Sequence, residues 1–327
     1  MKKIYFIVTA LILFVLIITA SYTMWNNSDP KNTCARCHEI SPSHDKWTSS
    51  AHAEVRCTEC HGTALSEGTH SLKEKMNMVY VHFTQDKRND EIHLNEKQIL
   101  DVSNRCAVCH QSEYAGWLRS GHAVNYKDIF LDSAHNAMEK PYWDCLRCHG
   151  MFYDGNINDL MTLDGDYKEW KINDKKQEMR STIPCLSCHQ MHTENPVSER
   201  YISMNGSRSS DERNPMTALY VRAEKMYLRS DMLPRAVMFD GDKEVKMPSD
   251  PNNLLCMQCH APNFKHQAGS EDDRTVTGVH EGISCISCHK PHSGETKTSC
   301  AQCHPSLSNE QIEMVYKQPH SYNLSAK

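Results

Sequence analysis

All 16 cysteines of this chain stand in one pattern, Cys-x-x-Cys-His, which occurs eight times. The units are Cys34, Cys37 and His38; Cys57, Cys60 and His61; Cys106, Cys109 and His110; Cys145, Cys148 and His149; Cys185, Cys188 and His189; Cys256, Cys259 and His260; Cys285, Cys288 and His289; and Cys300, Cys303 and His304. At these Cys and His frequencies, chance gives on the order of 0.05 such units in the whole chain. Two thiols at this spacing can form thioethers with the two vinyl groups of one porphyrin. The His that follows then lies under the ring as an axial ligand to iron. Zinc ribbons also pair cysteines but have no reason to place His after every second one. A Cys-x-x-Cys disulfide closes too small a loop to staple a fold, and iron–sulfur sites favour denser runs of Cys. The pattern therefore predicts eight covalently bound haems c, with the paired cysteines as attachment points and the motif histidines as iron ligands.

Twelve further histidines lie outside the motifs, at 44, 52, 70, 82, 93, 122, 135, 192, 266, 280, 292 and 320. Eight of them would suffice to give every iron a second imidazole. Repeated surroundings single out His52, His122, His135, His192, His280 and His292. Trp47 to His52 and Trp117 to His122 share W-x-x-S-x-H, and Ser133-Ala-His135 repeats its end. Cys185 to His192 and Cys285 to His292 are near copies. A His three residues beyond a motif His cannot easily reach the far face of the same ring. His192 and His292 are therefore expected to serve neighbouring haems.

The elements that position these groups must be slight. Apolar residues make up 39% of the 327, with only 7 Phe and 5 Trp, so side chains alone build a thin core. Each haem has fewer than about 40 residues to cover it, and the porphyrins themselves become the core. The expected class is mainly α and irregular coil with little sheet, each motif on one helical turn. The net charge of −5, made more negative by haem propionates, argues against nucleic-acid binding. It favours a basic or locally complementary redox protein partner. Homo- or hetero-oligomers remain open.

Lys2 and Lys3 precede an apolar run from Ile4 to Ala20, bordered by Tyr22, Met24 and Trp25. The longer stretch would reach about 33 Å as a helix, enough to span a bilayer. The basic start and the aromatic border favour a retained membrane anchor over residues 1–25, with a cleaved signal as the alternative. Either way the haem domain is expected on the extracytoplasmic, periplasmic side.

Between successive motifs the first cysteines are 23, 49, 39, 40, 71, 29 and 15 residues apart. This suggests a tetrahaem domain over 26–150 and a second over 151–327, the latter with a haem-free insert at 190–255. The insert reads as a polar loop from Asn205 to Asn214, then a helical candidate from Met216 to Ser230 ended by Pro234. It would act as a structural spacer or dimer contact, or alternatively as a partner-docking element.

The first 150 residues resemble the NapC/NirT family of membrane-anchored multihaem quinol dehydrogenases. The shared features are the short anchor, a motif close behind it at Cys34 to His38, Ser50 with His52, and a second motif at Cys57 to His61. Lys73 and Lys75 ahead of His82 and the motifs at Cys106 and Cys145 complete them. The resemblance implies electron uptake from membrane quinol near the first haem and transfer outward along the chain. It makes Lys73 or Lys75 the candidate quinol-site cation and His82 a haem ligand or proton carrier. One position departs: Ile40 stands where members often carry a ligating Met.

The leading reading of function is an electron carrier with no acid–base catalytic residues. An alternative is an octahaem oxidoreductase acting on nitrogen or sulfur oxyanions at one open haem, though none of the eight motifs is altered in the way such sites often are. A structural or polymerising haem protein is the third reading.

Overall fold

The computed structural model describes residues 2–66, 69–84, 93–133, 136, 140–162, 170–192, 217–223, 225–235, 238–240, 242–248, 250–260, 282–293 and 299–311. Its class is the expected one, mostly helical with little sheet. Chain contacts group it into two compact units, Met1–Leu94 with Met191–Pro215 and Asn95–Gln190 with Met216–Lys327. The first two motifs thus belong to one unit and the other six to the second.

In the first unit, α1 (Lys2–Asn27) is a single helix with no buried residue, long and apolar enough to cross a membrane. Its far end is tied down by two contacts. Tyr22 Oη lies 2.7 Å from Thr63 Oγ1, and Arg56 donates to the Asn27 side chain at 3.2 Å. The motif Cys34–His38 begins in a 3-10 turn, followed by α2 (Ser41–Thr48), α3 (Cys57–His61), which carries the second motif, and α4 (Thr69–Thr84).

The second unit opens with α5 (Glu96–Cys106), whose capping box pairs Asn95 with Gln98, and α6 (Gln111–Leu118) follows. Two more capping boxes start α7 (Tyr126–Phe130) at Asn125 and α9 (Ile157–Leu160) at Asn156. Between them, α8 (Cys145–Cys148) holds the fourth motif. Tyr126, Phe130, Leu146, Ile157, Leu160, Met161, Trp170 and Ile172 form a small buried cluster around it. The buried Glu96 carboxylate accepts from the Tyr126 hydroxyl, from Gln177 and, at 2.8 Å, from Arg180. A buried charge so placed is tolerated because it is both paired and hydrogen-bonded. Later come α10 (Pro251–His260) and α11 (Cys300–Cys303).

Sheet is confined, among the described residues, to three antiparallel pairs: β1 (Met161–Thr162) with β2 (Lys171–Ile172), β3 (Ala218–Val221) with β4 (Met226–Arg229), and β5 (Met238–Asp240) with β6 (Lys243–Val245). The second pair corrects the helix expected over Met216 to Ser230. Leu219 faces Leu228 and Tyr220 faces Tyr227, and the connection turns through Lys225 at φ 51°. A short apolar run has no decisive period, and cross-strand aromatic packing decided the outcome. The Ala218 N–H donates to the Cys188 carbonyl oxygen at 3.0 Å, and Tyr227 Oη bonds the Leu186 carbonyl oxygen at 2.9 Å. This part of the insert therefore braces the fifth motif. The Asn205 to Asn214 loop lies outside the described residues.

Candidate functional site

Each motif needs its two sulfurs and its imidazole on one short turn, and the local hydrogen bonds supply it. The His110, His149, His189, His289 and His304 N–H groups each donate to the carbonyl oxygen of the first cysteine of their motif, at 2.8 to 3.1 Å. His61 ends α3 and His260 ends α10, giving the second and sixth motifs the same helical turn. No disulfide consumes any of the 16 cysteines.

The W-x-x-S-x-H repeats are one device built twice. In each, the helix ends just after the Trp, and Ser Oγ bonds back to the Trp carbonyl oxygen, at 2.8 Å for Ser50 and 2.7 Å for Ser120. The same hydroxyl accepts from the His N–H, at 3.1 Å for His52 and 3.2 Å for His122. The indole N–H then anchors the turn, Trp47 to the His52 and Val55 carbonyls and Trp117 to that of Ile183. Serine is required because its short hydroxyl can both donate and accept within one turn.

Four motif imidazoles face a second imidazole. His38 and His82 have ring centres 5.5 Å apart, His61 and His192 5.9 Å, His122 and His260 5.9 Å, and His189 and His292 5.8 Å. Two imidazoles on one iron, each with its nitrogen about 2 Å from the metal, have ring centres about 6 Å apart. The residues present therefore fit a haem iron between each pair, beside cysteines placed to bind the porphyrin. Three of these rings, His189, His192 and His122, are shifted toward the neutral form. Burial first, then His292 and His110, push His189 down to about 4. Burial followed by Lys46 lowers His192. Burial, then His260 and His292, lower His122 against a hydrogen bond to the Pro291 carbonyl. A neutral ring has a lone pair to give to a metal, and that bond to Pro291 fixes which nitrogen gives it.

Gly116 of α6 lies against the His292 carbonyl oxygen, which any Cβ at that position would overlap. The glycine is what lets the His292 segment come close. At His38 a carboxylate joins the imidazoles: Glu39 Oε1 is 2.6 Å from His82 Nδ1 and 3.4 Å from His38 Nε2. Burial would raise the Glu39 pKa, but its own backbone N–H, the His82 hydrogen bond and the neighbouring His38 and His82 hold it below the usual carboxylate range. Lys75 is half-buried and donates to the His61 carbonyl oxygen at 3.4 Å, whereas Lys73 is exposed.

His135 and His280, both singled out in the sequence, lie outside the described residues. Sequence reasoning missed Glu39, Gly116 and the Pro291 carbonyl. Of these only Glu39 had a signal, its place directly after a motif His.

Residues 27–201 match the family model for outer membrane cytochrome MtrC/MtrF-like proteins, domains II/IV, and residues 237–305 match that for cytochrome c7 and related cytochrome c. The cytochrome c-type protein NrfH of Wolinella succinogenes is 29% identical over 141 residues, covering 42% of this chain and 76% of that protein. No solved structure matches. Haem c is accordingly a cofactor of this chain. With more than half its length in the first match, the chain belongs to the MtrC/MtrF-like cytochrome family, as a multihaem c-type cytochrome that resembles the NapC/NirT proteins.

Proposed function

We propose that this chain is an octahaem electron conduit, anchored by α1 and lying on the extracytoplasmic side of the cytoplasmic membrane. The observation that carries the reading is the four facing imidazole pairs, His38 with His82, His61 with His192, His189 with His292 and His260 with His122. A haem held by two imidazoles supplies a one-electron couple at low potential and offers no coordination position to a substrate. The chain's own residues then have three tasks. The cysteines fix each ring, the paired imidazoles close both faces, and the Ser-held turns keep His52 and His122 in place. The second imidazole comes from a remote segment in each case, so His192 and His292 serve motifs other than their own.

Electrons would enter near α1, from membrane quinol or a membrane-bound donor, where Glu39, His82 and Lys75 cluster around the first two motifs. They would leave to a redox protein partner that suits a negatively charged surface. Low-temperature EPR of the oxidised holoprotein tests the reading. Low-spin signals from all the haem are expected; about one high-spin haem in eight would replace the conduit by an oxidoreductase with an open iron.

A further inference from the structure

Among the described residues, two contacts hold α4, both from one side. Lys75 reaches the His61 carbonyl and His82 reaches Glu39, and these two residues, seven apart, share a helix face. Leu72, Met76, Val79, Tyr80 and Phe83 follow one another at i, i+4, i+7, i+8 and i+11 and make a different face. All five are exposed, from 44% at Leu72 to 79% at Phe83. A contiguous stripe of large apolar side chains marks a surface that another phase or molecule covers.

The contacts of the first unit say which. Tyr22 lies near the end of the apolar helix α1 and bonds Thr63; Thr63 is two residues from His61, whose carbonyl oxygen takes Lys75 of α4. This short path links α4 to the last turns of α1, where Tyr22 and Trp25 suit the lipid–water boundary. Lys73 and Lys75 border the stripe, as basic residues border the apolar face of helices that lie on anionic lipid.

We propose that α4 lies in the plane of the membrane surface, with its Leu72 to Phe83 stripe in the lipid, as a second membrane contact beside α1. The occupant of the stripe is the bilayer itself. The contact holds the first motif and the Glu39–His82 pair at the membrane face, within reach of a lipid-soluble donor. The proposal rests on α1 lying in the membrane.

The test uses the full-length holoprotein in vesicles containing anionic lipid, with single cysteines introduced as Val79→Cys, Phe83→Cys, Leu16→Cys in α1, and, at an exposed site outside every motif, Met232→Cys. Haem attachment consumes the native thiols, so a membrane-impermeant maleimide reads only the new one. Labelling at 79 and 83 should be at least about tenfold slower in vesicles than in detergent, while 232 labels equally in both. Equal labelling at 79 and 83 with Leu16 protected overturns the proposal and leaves the anchor intact; labelling at 16 overturns the anchor first. Protection at 79 and 83 that persists in detergent assigns the stripe to a second copy or a protein partner and also overturns the proposal. On the unaltered chain, a lipid carrying a photoreactive group in its acyl chain should cross-link within residues 69–84, and no adduct there is refuting.

Discussion

The substitution His122→Ala isolates one imidazole pair. The His122 ring centre lies 5.9 Å from that of His260, and the ring is steadied by the Pro291 carbonyl. Alanine ends at Cβ, so no nitrogen remains to face His260 across an iron. The other three pairs share no residue with this one and should be untouched. The expected change is therefore one haem among eight, or about one-eighth of the total, turning high-spin in the ferric state. The reduced protein should gain one carbon monoxide site per chain, and added imidazole should restore the low-spin signal. The haem that opens should also titrate at a higher potential than its bis-imidazole neighbours. EPR spin quantitation against total haem, with a carbon monoxide titration, measures all of this on one preparation. An unchanged low-spin signal with no carbon monoxide uptake refutes the pairing; two or more opened haems refute the independence of the pairs.

The carboxylate of Glu39 adds negative charge beside His38 and His82 and so favours ferric iron there. Glu39→Gln should raise the potential of the anchor-proximal haem and leave the others in place, as read by a spectroscopic redox titration. Gly116→Ala would force α6 from the His292 carbonyl oxygen, at a cost of about 1–3 kcal/mol for overpacking. A lower thermal midpoint and a changed EPR signal for one haem, that of His189, are expected; a pure loss of stability with unchanged spectra would separate Gly116 from the haem. For pH, the folded pKa of His189, at about 4, lies below its unfolded value of about 6.5. Its contribution is present above the unfolded value and is lost as pH falls through the folded one. Binding iron favours the neutral ring still further, so the low-spin spectrum should persist on acidification through pH 6.5 and past about 4, and conversion already complete near pH 6 would contradict the buried, ligating ring.

Much of the chemistry was legible in the residues alone, because covalent attachment of a porphyrin demands local spacing. Cys-x-x-Cys-His needs no partner from elsewhere in the chain, and one helical turn is enough to shape it. The serine turns that hold His52 and His122 were visible for the same reason, since W-x-x-S-x-H closes its hydrogen bonds within a few residues. Steric reach also led to the expectation that His192 and His292 turn away from the motifs they follow, and their rings lie against His61 and His189. Reach alone did not tell which motif each would face.

That choice belongs to the tertiary structure. His122 meets His260 and His292 meets His189 across more than a hundred residues of chain, and no local rule encodes such a meeting. The hairpin at Ala218–Arg229 was decided in the same way, by pairing and by the fifth motif it packs on rather than by its own period. Glu39 acquired its place only when α4 brought His82 to it. The sequence by itself determined the local turn of each motif, which closes within five residues. Which distant imidazole faces each motif histidine, and which face of α4 stays exposed, were decided by packing, because those contacts exist only once separate segments are brought together.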